Sequence, residues 1–217
     1  MDRRALSLRP CIKRHTVARL RAPHRSSGSS APARGTAPRP PGLFTLAVIN
    51  NVPSTAALAL RFAPSGHLER ERLHLTATRH FGAAAVAAAP DGQILLAGWS
   101  RPKNSAKTPA LLVLDSDLAL LREHLDLEGQ GHAAAVAALP GGRALVATHI
   151  PGGLGLDILL RAYDRDSGAV AWASLYKGPE GDDRAYALAA DPYGIATFAG
   201  SAPLGGAPRP LVGTIHP

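Results

Sequence analysis

The sequence predicts an all-β chain: an incomplete β-propeller of about 3.5 four-stranded blades behind a disordered basic N-terminal tail. Three observations carry that prediction. A run of small aliphatic residues, a Gly-containing turn and a second apolar run recur about every fifty residues, as Ala83–Gly98, Ala135–Ala147 and Ala187–Gly200. About twenty residues further on, an apolar run enters an Asp-rich turn and then alternates, as in Leu111–Leu118 and Ile158–Ala169. Finally, the Ala-rich stretch from Gly82 to Ala89 is closed by Gly and Pro. It is too short for a stable isolated helix, so its turn reads as a hairpin between antiparallel strands.

Residues 1–39 hold ten Lys and Arg against the single acid Asp2, whereas residues 40–217 hold fourteen basic against fifteen acidic residues. The net charge of +8 thus resides in the tail. The near-neutral remainder argues against nucleic acid as its partner. The tail has no apolar periodicity and is rich in Arg, Ser, Pro and Gly. It cannot bury enough apolar area to offset its ordering entropy and is expected to be disordered. A solvated tail, a targeting segment and an anion-binding arm all stay open. A recognisable signal peptide is absent, because Arg or Lys interrupts every few residues of what would be its apolar core.

The domain from 40 to 217 divides into repeats at about 40–81, 82–131, 132–183 and 184–217. In the first, Leu43–Ile49 takes the place of a second strand, Leu58–Phe62 that of a third and Leu68–Leu75 that of a fourth. Arg72 and His74 recur as Arg122 and His124. The second repeat adds Leu118–Leu127 as its outer strand, and the third adds Val170–Tyr176. The last ends on Pro210–Ile215 in a third-strand place. Small residues such as Ala85–Ala88 suit a crowded innermost strand, and Gly98 and Gly200 suit close backbone approach. Three, four, four and three strands make fourteen. The expectation is either a propeller fragment or a homodimer through open edges, whose twenty-eight strands would make seven blades.

The best copy, from Asp157 to Gly200, carries Asp157, Leu160, Tyr163, Asp164, Gly168, Trp172, Gly181, Asp182, Asp183, Ala185, Ala187, Ala189, Asp191 and Gly194 in order. It resembles bacterial β-propeller repeat proteins of the seven-bladed and WD40-like type. That resemblance implies a secreted or cell-surface protein without a defined activity. Ala162-x-Asp164-x-x-Ser167-Gly168-x-x-x-Trp172 is similar to the tryptophan-docking motif of quinoprotein dehydrogenases, where the Trp stacks between blades. Position 123, aligned with Trp172, is Glu, and the earlier place is Leu73. The motif implies a blade rather than a quinone, and a quinoprotein-like enzyme fragment is the alternative.

Chemistry is sparse. The nine histidines, His15, His24, His67, His74, His80, His124, His132, His149 and His216, include no His-x-His or His-x-x-x-His pair, so no metal site is expected. Asp115-Ser116-Asp117 and Asp164-Arg165-Asp166 lack the further oxygen ligands of a calcium loop and read as turn-forming Asp. Gly181-Asp182-Asp183 reads as a cap on the entry to an inner strand. No Gly-x-Ser-x-Gly occurs, and the single cysteine, Cys11, lies in the tail. Pro151–Gly155 lacks the Lys of a phosphate loop; the equivalent stretch of the preceding repeat, Arg101–Thr108, is polar and basic. No window approaches the roughly eighteen apolar residues of a membrane-spanning helix. No catalytic, cofactor or metal residue is therefore assigned. The expected function is a non-catalytic binding or scaffolding surface for a protein or carbohydrate ligand.

Overall fold

The computed structural model describes residues 14–18, 43–51, 54–74, 79–102, 105–125 and 131–216, with side chains from residue 56 onward. Every regular element among them is a strand: β1 (Arg14–Ala18), β2 (Leu43–Asn51), β3 (Ser54–Phe62), β4 (Leu68–His74), β5 (Arg79–Ala88), β6 (Ile94–Pro102), β7 (Thr108–Leu114), β8 (Leu120–His124), β9 (His132–Leu139), β10 (Arg143–Pro151), β11 (Leu156–Asp164), β12 (Val170–Tyr176), β13 (Arg184–Ala190), β14 (Ala196–Leu204) and β15 (Ala207–Ile215). The Ala-rich runs are strands, as their length and flanking turns predict.

Consecutive strands pair antiparallel into four separate sheets, β1–β4, β5–β8, β9–β12 and β13–β15. The expected count of fourteen strands is corrected to fifteen, because β1 pairs with β2 and gives the first sheet a fourth strand. That strand falls within the stretch expected to lack structure. The rest of residues 1–39, with Cys11, and the Pro40-Pro41-Gly42 stretch that opens the expected first repeat lie outside the described residues. No helix among the described residues is long and apolar enough to cross a membrane.

The sheets are held together face to face. Ala57 and Ala59 of the first pack on Phe81, Ile94, Leu96 and Leu112 of the second. Leu95, Ala97, Leu111 and Val113 on the other face of the second meet Val136, Ala144, Val146 and Tyr163 of the third. Leu145, Ala147, Ile158 and Leu160 of the third meet Ala185, Ala196 and Phe198 of the fourth. Alternation along β6 and β10 sends successive side chains to opposite faces, so both faces of these strands are apolar and buried. In β14 the same alternation leaves Thr197 and Ala199 exposed, since nothing covers that face among the described residues.

Each inner strand carries a β-bulge where the sequence needs backbone room. The β5–β6 ladder shifts register between Ala83 and Ala85, opposite Gly98, and the β13–β14 ladder between Ala185 and Ala187, opposite Gly200. A Cβ on Gly98 would strike the Gly82 carbonyl oxygen, and one on Gly200 the Arg184 carbonyl oxygen. Only glycine fits at these two crossings.

Candidate functional site

The inner strands β5, β9 and β13 and their hairpin turns line an apolar cleft of about 670 Å³, with Val86, Val136, Leu139 and Leu188 among its walls. At its mouth stands Arg165, from the turn between β11 and β12, buried to 7% exposure. Its Nη2 donates to Asp91 Oδ2 at 2.6 Å and its Nη1 to Asp91 Oδ1 at 3.1 Å and Gln93 Oε1 at 2.9 Å. Its backbone N–H donates to Gly142 O at 3.0 Å, and its carbonyl oxygen lies 2.8 Å from His124 Nε2. One residue of the third sheet thereby ties together two hairpin turns and the outer strand of the second sheet. The bidentate guanidinium holds the Asp91 carboxyl below the usual carboxylate range.

The opposite end, where β6–β7, β10–β11 and β12–β13 connect, carries the polar groups. His149 is buried, and the Ala185 N–H of the next sheet donates to its Nε2 at 2.9 Å. That bond makes Nε2 the acceptor and places the ring proton on Nδ1, 3.3 Å from His132 Nε2. The Ala185 carbonyl oxygen, 3.1 Å from the same Nε2, would accept only from the other tautomer. Burial, reinforced by His132, pushes the His149 pKa down to about 4. Burial, then Lys107 and Arg184, lowers that of His132. Both rings are neutral near pH 7.

On the second sheet, Trp99 faces Gly82 across the β5–β6 ladder, and a Cβ at position 82 would lie 2.5 Å from indole atoms. The Lys107 Nζ sits 4.3 Å from the Trp99 ring centroid, and the Arg101 guanidinium carbon 5.7 Å from it. On the fourth sheet's approach, Asp182 Oδ1 accepts from Leu156 N–H at 3.0 Å, and Arg184 pairs with Asp182 at 2.8 Å. Asp183 is buried and accepts from Gly178 N–H. The Gly181–Asp183 segment thus straps the entry of β13 to the start of β11.

The Asp-rich turns close on themselves. Asp115 Oδ1 accepts from the Asp117 and Ala119 N–H groups, Asp164 Oδ1 from Ser167 N–H and Oγ, and Asp191 Oδ1 from Tyr193 and Ile195 N–H groups. Among the described residues no three His, Cys, Asp or Glu side chains gather as a metal site. His74 and His124, which recur at one place of the repeat, both reach the next sheet: His74 Nε2 lies 3.2 Å from Glu123 Oε1, and His124 meets Arg165. Tyr176 holds the matching place on β12 and contacts Phe198 edge-on at 6.1 Å. Trp172 packs against the core shared by the third and fourth sheets. Pro151–Gly155 is the β10–β11 loop, closed by a Gly152 N–H to Gly155 O bond.

The His132–His149 pair and the Arg165 clamp were missed in the sequence. The bulge between Ala133 and Ala135 shifts the β9–β10 register by one and sets the two histidines opposite each other. A plain hairpin would have set His149 opposite Ala133. Arg165 stood inside an acidic turn and read as part of it.

No family model and no curated protein matches the chain. Similar solved structures include a protein of unknown function from Dyadobacter fermentans DSM 18053, at 15% identity and a TM-score of 0.58 over 80% of this chain and 49% of that one. Another is a protein of unknown function from Bacteroides caccae, at 14% identity and a TM-score of 0.44 over 81% of this chain and 58% of that one. The chain spans about half the length of the first of these.

Proposed function

We propose that the four sheets are blades of a β-propeller and that the protein is a non-catalytic scaffold whose loop end is its recognition face. The observation that carries this reading is the repeated junction: each sheet's covered face is covered by the next copy of the same repeat. The ionisable groups fit a structural role, since Asp115, Asp164 and Asp191 are spent on their own turns and His74, His124 and His149 on neighbouring sheets. The loops at one end differ between repeats while each turn at the other keeps an Asp or a Gly, and such variation on a constant frame suits recognition.

Two faces lack a neighbour among the described residues. On the first sheet, Leu58, Leu60 and Phe62 alternate with Ala57 and Ala59 and are partly exposed on the opposite face. On the fourth, Thr197, Ala199 and Val212 are exposed. A second copy covers both when the first sheet of each meets the last sheet of the other about a two-fold axis. Four sheets from each chain make eight, within the usual range of about 4–8 blades. Light scattering on the full chain at micromolar concentration is expected to give twice the 22.5 kDa chain mass. A monomer alone at that concentration would end this reading of the open faces.

A further inference from the structure

We infer that the loop end of the second sheet binds a small ligand bearing tetrahedral oxyanions, a phosphate or sulfate ester, on Trp99, Arg101 and Lys107. The inference rests on the loop end being the recognition face proposed above. It starts from the sequence: Arg101-Pro102-Lys103-Asn104-Ser105-Ala106-Lys107 holds three cations and no acid, in a domain whose overall charge is close to neutral. The matching loop of the third sheet, Pro151–Gly155, holds no cation. A role in holding the sheet together would recur with the repeat, and this one does not.

The structure gathers two of those charges on one ring. Lys107 Nζ and the Arg101 guanidinium lie 4.3 and 5.7 Å from the same Trp99 centroid. Arg61, Arg165 and Arg184 each have a carboxylate oxygen within hydrogen-bond reach, whereas no ion pair among the described residues engages Arg101 or Lys107. The Arg101 Nε is buried and has no hydrogen-bond partner. The positive field reaches into the neighbouring sheet, where Lys107 is among the groups that disfavour a proton on His132. The ring itself is set in place, because Gly82 leaves the space that the indole fills.

Two like charges gathered around one ring repel one another, and a multiply charged anion within reach of both relieves that repulsion. Arg101 offers a planar fork that matches two oxygens of a phosphate or sulfate, Lys107 a point charge, and Trp99 a flat apolar wall for whatever carries the ester. Nucleic acid fits less well, since polymer binding draws on roughly 6–10 phosphate contacts spread along a surface.

The test is a calorimetric and tryptophan-fluorescence titration of the full chain at low salt, once with inorganic pyrophosphate and once with a sulfated heparin disaccharide. Saturable one-site binding of at least one probe, with Kd below about 1 mM, is expected, and the probe that binds more tightly shows whether the site takes the phosphate or the sulfate oxyanion. Replacing both cations, Arg101→Ala with Lys107→Ala, is expected to weaken binding at least tenfold, while Lys107→Arg keeps it and Arg209→Ala, an exposed cation on β15, leaves it unchanged. Failure of both probes to saturate would overturn the inference. So would equal binding by wild type and the double variant, which would assign the anion to the basic N-terminal stretch. Neither result alters the mass read by light scattering, so the scaffold reading stands or falls separately.

Discussion

Gly98 is the residue at which a single added methyl group does most damage by position alone. Its Cβ would enter the backbone of β5 at a bulge, where no flexible side chain can give way. Gly98→Ala is therefore expected to destabilise the chain by about 1–3 kcal/mol in urea unfolding, while Gly153→Ala, with open space around it and no left-handed backbone, loses less. His149 makes a second prediction. It is held neutral when folded and takes up a proton near pH 6.5 when unfolded, so its contribution is complete above about pH 6.5 and drains as pH falls toward 4. The loss between pH 6.5 and 5 is about 2 kcal/mol at most. His149→Gln should flatten the change in urea midpoint between pH 7 and pH 5. An unchanged pH dependence in that variant would place the effect elsewhere.

At the scale of elements, the hairpins were legible because each needs only local information: a small apolar run, a turn with Gly at positive φ, and a second run. Gly92 and Gly194 at φ 88° and 92°, and Gly141 and Gly142 at 69° and 71°, are the turn glycines that the pattern required. Strand ends were less legible. β8 runs only from Leu120 to His124, because Leu118 turns at φ 65° and buries its side chain in the core between the first two sheets. A Leu in the left-handed region is held there by burial, and nothing in the sequence distinguishes it from the alternating residues that follow. β1 was hidden for a related reason: Arg14–Ala18 is short and polar, and its pairing with β2 depends on a partner about thirty residues away. Site legibility followed the same division. The turn carboxylates could be read from their spacing, whereas the His132–His149 pair depends on a bulge and the Trp99 cluster on a glycine across the ladder.

At the scale of the whole molecule, stability is nearest-neighbour: each sheet is dry only where the next one lies on it, as in other repeat architectures. The Arg165–Asp91 pair spans such a junction, joining residues 74 positions apart in the chain. With the bond between His124 and the Arg165 carbonyl, it is a polar contact that exists only if the second and third sheets lie together. A double-mutant cycle on Asp91→Ala and Arg165→Ala in the full chain, read by urea unfolding, measures that proximity directly. Because Asp91 is half exposed, the expected coupling is about 1–2 kcal/mol, favourable in sign. Two single losses that simply add, with no coupling, would mean that these turns do not meet and that the sheets are not stacked in this order.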